Sequence, residues 1–288
     1  MARFKLPKKF PLLPRPKTSD KTCFGHTLVI AGSPGMTGAA ILASRAAASA
    51  GSGLVTLGLP EGLQARVAKS LVEVMQMGLP QTKKATLNLK AFEKIDAFVQ
   101  KRRVNSLAIG PGLSRDKETI ALVRKIVERI DVPAVLDADG LSAFHGKTDA
   151  LKRHRGPLIL TPHRGEFERL FSTKMPESVS SRVALAKKLS KFYDVVLVLK
   201  SAPTIVAQGE KVYLSGTGNP GLAKGGAGDV LTGVIAAFTA QGLVPFEAAA
   251  WGAHFHGRAA DLAVKEKSEL GLLASDVIDF LPKAFLLE

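Results

Sequence analysis

The sequence predicts one α/β domain: a mainly parallel sheet with helices on both faces, a three-layer sandwich. Two observations predict it. Strand-like and helix-like segments alternate almost throughout, and glycine-rich turns follow several of the apolar strands. Residues 27–31 (TLVIA) form a short apolar run, and an alanine-rich helix over 38–50 follows a glycine turn. Residues 54–59 (LVTLGL) give the next strand. Helical apolar spacing over 89–101 and 117–129 brackets a short strand at 106–109. Apolar strands follow at 134–137, 158–160 and 195–200, with a helix at 181–192 between the last two. Residues 204–207 and 211–214 flank the turn Gln208-Gly209-Glu210, a hairpin pattern late in the sheet. Two long helical segments, about 227–241 and 245–267, and a short one near 274–280 complete the chain.

Sheets of this kind bind ligands beyond the carboxyl ends of their strands. Glycine turns stand there at residues 32–38, 110–112 and 137–140, so three loops should line one cleft. The first 20 residues differ: basic and proline-rich (Pro7, Pro11, Pro14, Pro16), they read as an extended arm rather than a packed element. Residues 21–288 contain no linker or repeat and read as a single domain.

Composition narrows the function. The 288 residues are 46% apolar, yet no apolar run approaches the ~20 residues that span a bilayer. Cys23 is the only cysteine, which excludes an internal disulfide and argues against a cysteine zinc site; a reducing, cytoplasmic home fits. Cys23 also lacks an adjacent helix start or base partner, which sets a nucleophile role aside. The charge of +15 raises nucleic-acid binding, but one Trp and two Tyr give no aromatic interleaving for single strands. A basic surface that draws in anionic nucleotides is the more economical account.

The strongest motif is GTGNPGLAKGGAGDVLTG, Gly216 to Gly233. Glycines let a backbone approach a ligand closely, and the free amides and dipole of the helix that follows favour a phosphate. Asp229 falls in that helix's first turn, a setting expected to keep it ionised. There it can deprotonate a substrate hydroxyl attacking a phosphoryl group, or merely cap the helix. Lys224 adds a cation to the loop. Gly216–Gly221 fits G-x-G-x-x-G literally, but the helix starts too late and no second parallel strand follows; no P-loop match exists. His163-Arg164-Gly165-Glu166 follows the strand at 158–160 and suits a polar site or a helix start. His254 and His256 lie two apart on a helix and point away from each other, so they do not form a metal pair.

Five segments, in order, resemble the ADP-dependent NAD(P)H-hydrate dehydratases of the ribokinase-like superfamily. They are FGHTLVIAGSPGMTGAA with AGSGLVTLGLP, AIGPGLSRD with VLDADGL, ILTPHRGEFERL, VLVLKSAPTIVA and GNPGLAKGGAGDVLTGVIAA. The resemblance implies a ribokinase-like fold. It also implies an enzyme that phosphorylates the added hydroxyl of hydrated NADH or NADPH with ADP or ATP and Mg²⁺, then expels phosphate. Carried over by position, Asp229 would be the base, and Gly225, Gly226 and Gly228 the anion hole. Lys200, Ser201, Ala202, Pro203 and Thr204 would match the nucleotide segment, with Ser201 replacing the usual glycine. Ala39, Ala40, Gly112, His163 and Asp229 would meet the hydrated nicotinamide nucleotide, and Glu166 would sit near the magnesium.

Two departures stand out. Ala227 replaces the threonine of the family's Gly-Gly-Thr-Gly-Asp, giving the Gly-Ala-Gly-Asp of related sugar kinases, which keeps a small-molecule kinase open as the alternative. Arg164 replaces a proline and adds positive charge for a phosphate of an NADPH-type substrate. The family often forms tetramers, which implies a homo-oligomer. It also often carries an N-terminal epimerase domain; the short segment before the match implies a standalone form with any epimerase as a separate protein.

Overall fold

The strands assemble as their alternation with helices predicts. In this computed structural model, which describes residues 4–286, seven strands run parallel. They are β1 (His26–Ile30), β2 (Leu54–Pro60), β3 (Met75–Leu79), β4 (Ser106–Ile109), β5 (Ala134–Leu136), β6 (Leu158–Leu160) and β7 (Val196–Leu199). The hairpin β8 (Ile205–Gln208) and β9 (Lys211–Leu214) continues the sheet antiparallel. The order is β3-β2-β1-β4-β5-β6-β7-β8-β9, so the chain changes direction across the sheet between β1 and β4. A crevice at the carboxyl ends is expected at such a reversal.

Both faces of the sheet are covered, which explains why its strands read as unbroken apolar runs. Val29, Val135 and Ile159 point to a core shared with α1 (Thr37–Ser49), α8 (Ala227–Ala240), α9 (Pro245–Gly271) and α10 (Ala274–Phe285). Leu28, Ile30 and Leu136 point the other way. They meet α3 (Ala91–Arg102), α4 (Lys117–Arg129), α6 (Arg164–Phe171) and α7 (Val179–Tyr193). The short turns α2 (Gln64–Val67) and α5 (Asp139–Ser142) fill in between strands. Helix α8 is buried nearly all round. Gly233 brings α1 against it, since any Cβ there would strike the Ala43 carbonyl.

Most expected boundaries fall within one to three residues of the observed ones, as at α4, which Asp116 caps by accepting the Glu118 N–H at 3.0 Å. Strand β3 was not expected, because MQMGL lacks β-branched residues; parallel pairing with Thr56–Pro60 makes it a strand. The expectation of an unpacked arm is corrected. Phe10 is only 5% exposed and lies among Phe238, Trp251, Phe255 and Phe285, with ring centroids 4.7–6.1 Å away. Phe4 donates its N–H to the Val212 carbonyl on β9 at 2.8 Å. Arg15 stacks 3.7 Å over the Phe24 ring and donates to Gln241 Oε1 at 2.8 Å. The prolines keep the arm irregular, but its apolar residues outweigh its charge. No helix among the described residues is long and apolar enough to cross a membrane.

Candidate active site

Because β1, β4 and β5 are parallel neighbours, the three glycine turns gather at one edge as expected. Gly112, with φ +60°, packs so closely that a Cβ would lie 2.7 Å from the Met36 Cβ and 3.3 Å from the Ala39 Cβ. Ala39 and fully buried Ala40 open α1 beside it, so Ala39, Ala40 and Gly112 form one wall.

The centre of the cleft is a charge cluster. Asp137 follows β5 and is 1% exposed; its Oδ1 accepts from Lys200 Nζ at 2.6 Å and its Oδ2 from Thr232 Oγ1 at 2.9 Å. Burial pushes the Asp137 carboxyl up, but Lys200 and the hydroxyls of Thr232 and Thr161 outweigh it and hold the group below its ordinary value. Burial likewise pushes Lys200 down, and the facing Asp137 and Glu166 carboxylates raise it above its usual range. The pair is therefore ionised. Glu166 is 7% exposed, with Oε2 3.6 Å from Lys200 Nζ.

Asp229 stands in the first turn of α8, where the dipole favours its anion. The expectation that this keeps it ionised is corrected: burial, and then the Asp137 and Glu166 charges, push its carboxyl up to about 7 against the pull of Lys200. Gly226 is the N-cap of α8 at φ +93°, and no side chain caps the first amides of the helix; the Ala227 N–H makes a long 3.5 Å bond to the Lys224 carbonyl. A Cβ on Gly226 would meet Leu42 Cδ1 at 2.7 Å and Ala274 at 3.0 Å, so its hydrogen faces protein. A Cβ on Gly225 would meet nothing within 4 Å, and one on Gly228 would press on Lys200 Nζ at 3.0 Å. Lys224 Nζ donates to the Leu270 carbonyl at 2.5 Å, near the end of α9.

Lys200 through Thr204 lie just past β7. Lys200 N donates to Pro162 O at 3.0 Å, tying the segment to the strand end that carries His163. Ser201 Oγ donates to Pro203 O at 2.7 Å, and Arg182 Nη2 to Ala202 O at 3.2 Å. The helix-start account of His163 holds: its Nδ1 accepts the Gly165 and Glu166 amides at 3.0 and 3.3 Å, and Glu166 Oε2 accepts the His163 N–H at 2.9 Å. Its ring is half exposed at the cleft rim. Arg164 turns away to a two-bond pair with Glu177, at 2.8 and 3.2 Å, so the charge expected for substrate is already engaged.

Sequence reasoning missed Asp137 and Thr232. The signal was present at Asp137, a carboxylate directly after the buried run AVL, where an unpaired charge could not survive. His256 is buried too, its ring pushed down to about 4 chiefly by that burial, and so neutral; Nε2 has no partner among the described residues.

Comparison with known proteins decides the family. The profile for NAD(P)H-hydrate dehydratase matches residues 27–283. The chain belongs to that family. It is 44% identical to a bifunctional NAD(P)H-hydrate repair enzyme of Moorella thermoacetica over 272 residues, 94% of this chain and 51% of that protein. An ADP-dependent (S)-NAD(P)H-hydrate dehydratase of Neisseria meningitidis is 34% identical over 91% of this chain and 86% of its own length. The crystal structure of an ADP/ATP-dependent NAD(P)H-hydrate dehydratase from Bacillus subtilis, co-crystallised with ATP/Mg²⁺, superimposes at TM-score 0.80 with 32% identity. That match covers 95% of this chain and 93% of that one. The chain thus spans about half the length of the bifunctional dehydratase-family relatives it matches. The sandwich seen here is the ribokinase-like fold.

Proposed function

We propose that the chain dehydrates the S epimer of NADH or NADPH hydrate, with ADP or ATP as phosphoryl donor. The observation that carries this is Asp229. It is a carboxyl raised to about 7, at a helix start that no side chain caps, beside a buried ammonium. A base poised near neutrality accepts a hydroxyl proton readily. Asp229 takes the proton from the added ring hydroxyl as its oxygen bonds to the terminal phosphorus and the bridging P–O bond breaks, releasing AMP or ADP. The C–O bond then breaks with phosphate leaving, and loss of a proton from the adjacent carbon restores the ring double bond.

Gly225, Gly226 and Gly228 offer backbone amides to the transferred phosphoryl group. Lys200 supplies a fixed positive charge, and Ser201, Ala202, Pro203 and Thr204 flank the nucleotide. Ala39, Ala40, Gly112 and the exposed ring of His163 bound the nicotinamide side. Asp137, Glu166 and Asp229 together face one ammonium, a negative surplus that fits a cation. Among the described residues no group of three His, Cys, Asp or Glu makes a ready cage. Mg²⁺ suits such a place, since it commonly binds one or two carboxylates and the phosphates of its nucleotide. Glu166 would hold it, since Asp137 is committed to Lys200 and Thr232. When bound, it neutralises charge on the phosphates. The proposal extends to a cytoplasmic homo-oligomer, a tetramer by family resemblance, that works with an epimerase.

Hydrated NADH with ADP or ATP and Mg²⁺ tests the proposal. Recovery of dihydronicotinamide absorbance, with about one phosphate released per turnover, is expected. Phosphorylated alcohols accumulating without that recovery would make the chain a small-molecule kinase.

A further inference from the structure

The glycine-rich loop has little regular structure of its own; between β9 and α8 it forms only one short turn, Pro220–Leu222. What fixes it is helix α9. Asp261, partly buried on that helix, accepts the Gly218 N–H on Oδ2 at 2.9 Å and the Asn219 Nδ2 on Oδ1 at 2.9 Å. Asn219 in turn accepts the Gly221 N–H on Oδ1 at 3.0 Å. One turn earlier on α9, Gly257 lets the loop lie flat on the helix, since a Cβ there would sit 2.5 Å from Thr217 Oγ1. Thr217 itself donates to the His254 carbonyl at 2.8 Å.

We propose that Asp261 is a positioning residue: with Asn219 it clamps the glycine-rich loop to α9 and so holds the amides of Gly225–Gly228 where a nucleotide phosphate needs them. The inference rests on the phosphate-site reading of that loop. The clamp has a strict donor count. Two backbone N–H donors, Gly218 and Gly221, each take an acceptor from it, and the two side chains bond each other. One carboxylate and one amide satisfy all three bonds, whichever position holds which. Two amides leave a donor facing a donor, and two carboxylates leave an acceptor facing an acceptor.

The exchange of the two groups therefore tests it. Asp261→Asn and Asn219→Asp each break the clamp; the double variant N219D/D261N restores all three bonds. Affinity for ADP and ATP with Mg²⁺ is measured by calorimetry, and amide hydrogen exchange is followed over residues 215–228. Each single variant should weaken nucleotide binding about tenfold or more, the scale of losing a hydrogen bond to a charged group, and speed loop exchange. The double variant should return both to within about threefold of wild type, the coupling a double-mutant cycle detects. Single variants that bind nucleotide as tightly as wild type would overturn the clamp. So would a double variant as weak as the singles, or a fall in Tm with affinity and loop exchange unmoved. Should the wild type bind no adenine nucleotide, the phosphate reading fails, and loop exchange in the three variants still decides whether Asp261 and Asn219 clamp the loop.

Discussion

Asp229→Asn should make the folded chain more stable while nearly silencing it. A free aspartate titrates near 3.8, and this one near 7. Between those values the unfolded chain has lost a proton that the folded chain keeps. Stability from this group therefore falls as pH rises from about 4 to about 7, and the full penalty stands above that. At about 1.4 kcal/mol for each tenfold step, the penalty approaches about 4 kcal/mol. Water reaches part of the carboxyl, so about half that is the working figure. An amide carries no charge and escapes it. A gain of ~2 kcal/mol raises Tm by roughly 3–4 °C in a chain of this size. The assay is thermal unfolding of wild type and variant at about pH 5 and about pH 8.5. The Tm gap should be roughly two to three times wider at the higher pH, since only part of the penalty is present at about pH 5; a gap equal at both values, or a variant less stable at the higher one, would refute the reasoning. Turnover of the same variant should fall by roughly 10²–10⁴ with nucleotide binding nearly intact.

Wild-type kcat/KM should climb with pH and level off above about 7 as Asp229 ionises; a flat profile across that range would remove Asp229 as the base. Gly225→Leu should weaken nucleotide binding by placing a side chain in open space before α8. Gly226→Ala should instead lower stability by about 1 kcal/mol or more, through positive φ and contact with Leu42, as read by urea unfolding. Lys200→Met strands the buried Asp137 charge and should cost about 3–5 kcal/mol of unfolding free energy; a loss below about 1 kcal/mol would contradict the ionised pair. Phe10→Ala should cost roughly 3 kcal/mol by the same measurement, since it empties a pocket of four aromatic rings.

Alternation and glycine turns made the parallel sheet and its cleft legible in the sequence, because strand direction decides where every such turn must lie. The motif Gly225–Asp229 was legible for the same local reason. Its electrostatics were not. The dipole at Asp229 can be read along the chain, but the carboxylates of Asp137 and Glu166 reach it through folding from 92 and 63 residues away. The partner of Lys224 was hidden in the same way, since Leu270 lies beyond α8 and most of α9. Strand β3 failed for another reason: its pairing partner, not its own propensity, makes it a strand. The arm failed because its prolines and charges dominate the string, while the aromatic hollow for Phe10 exists only in three dimensions.

That arm bears on handling as much as on folding. An outermost strand offers its backbone as a template to any other extended chain. Phe4 occupies one such group on β9, and Phe10 stoppers the greasy hollow between α8, α9 and α10. Clipping the first dozen residues would uncover both at once. The first symptom would be clumping and poor recovery of soluble protein, visible before any catalytic constant moved.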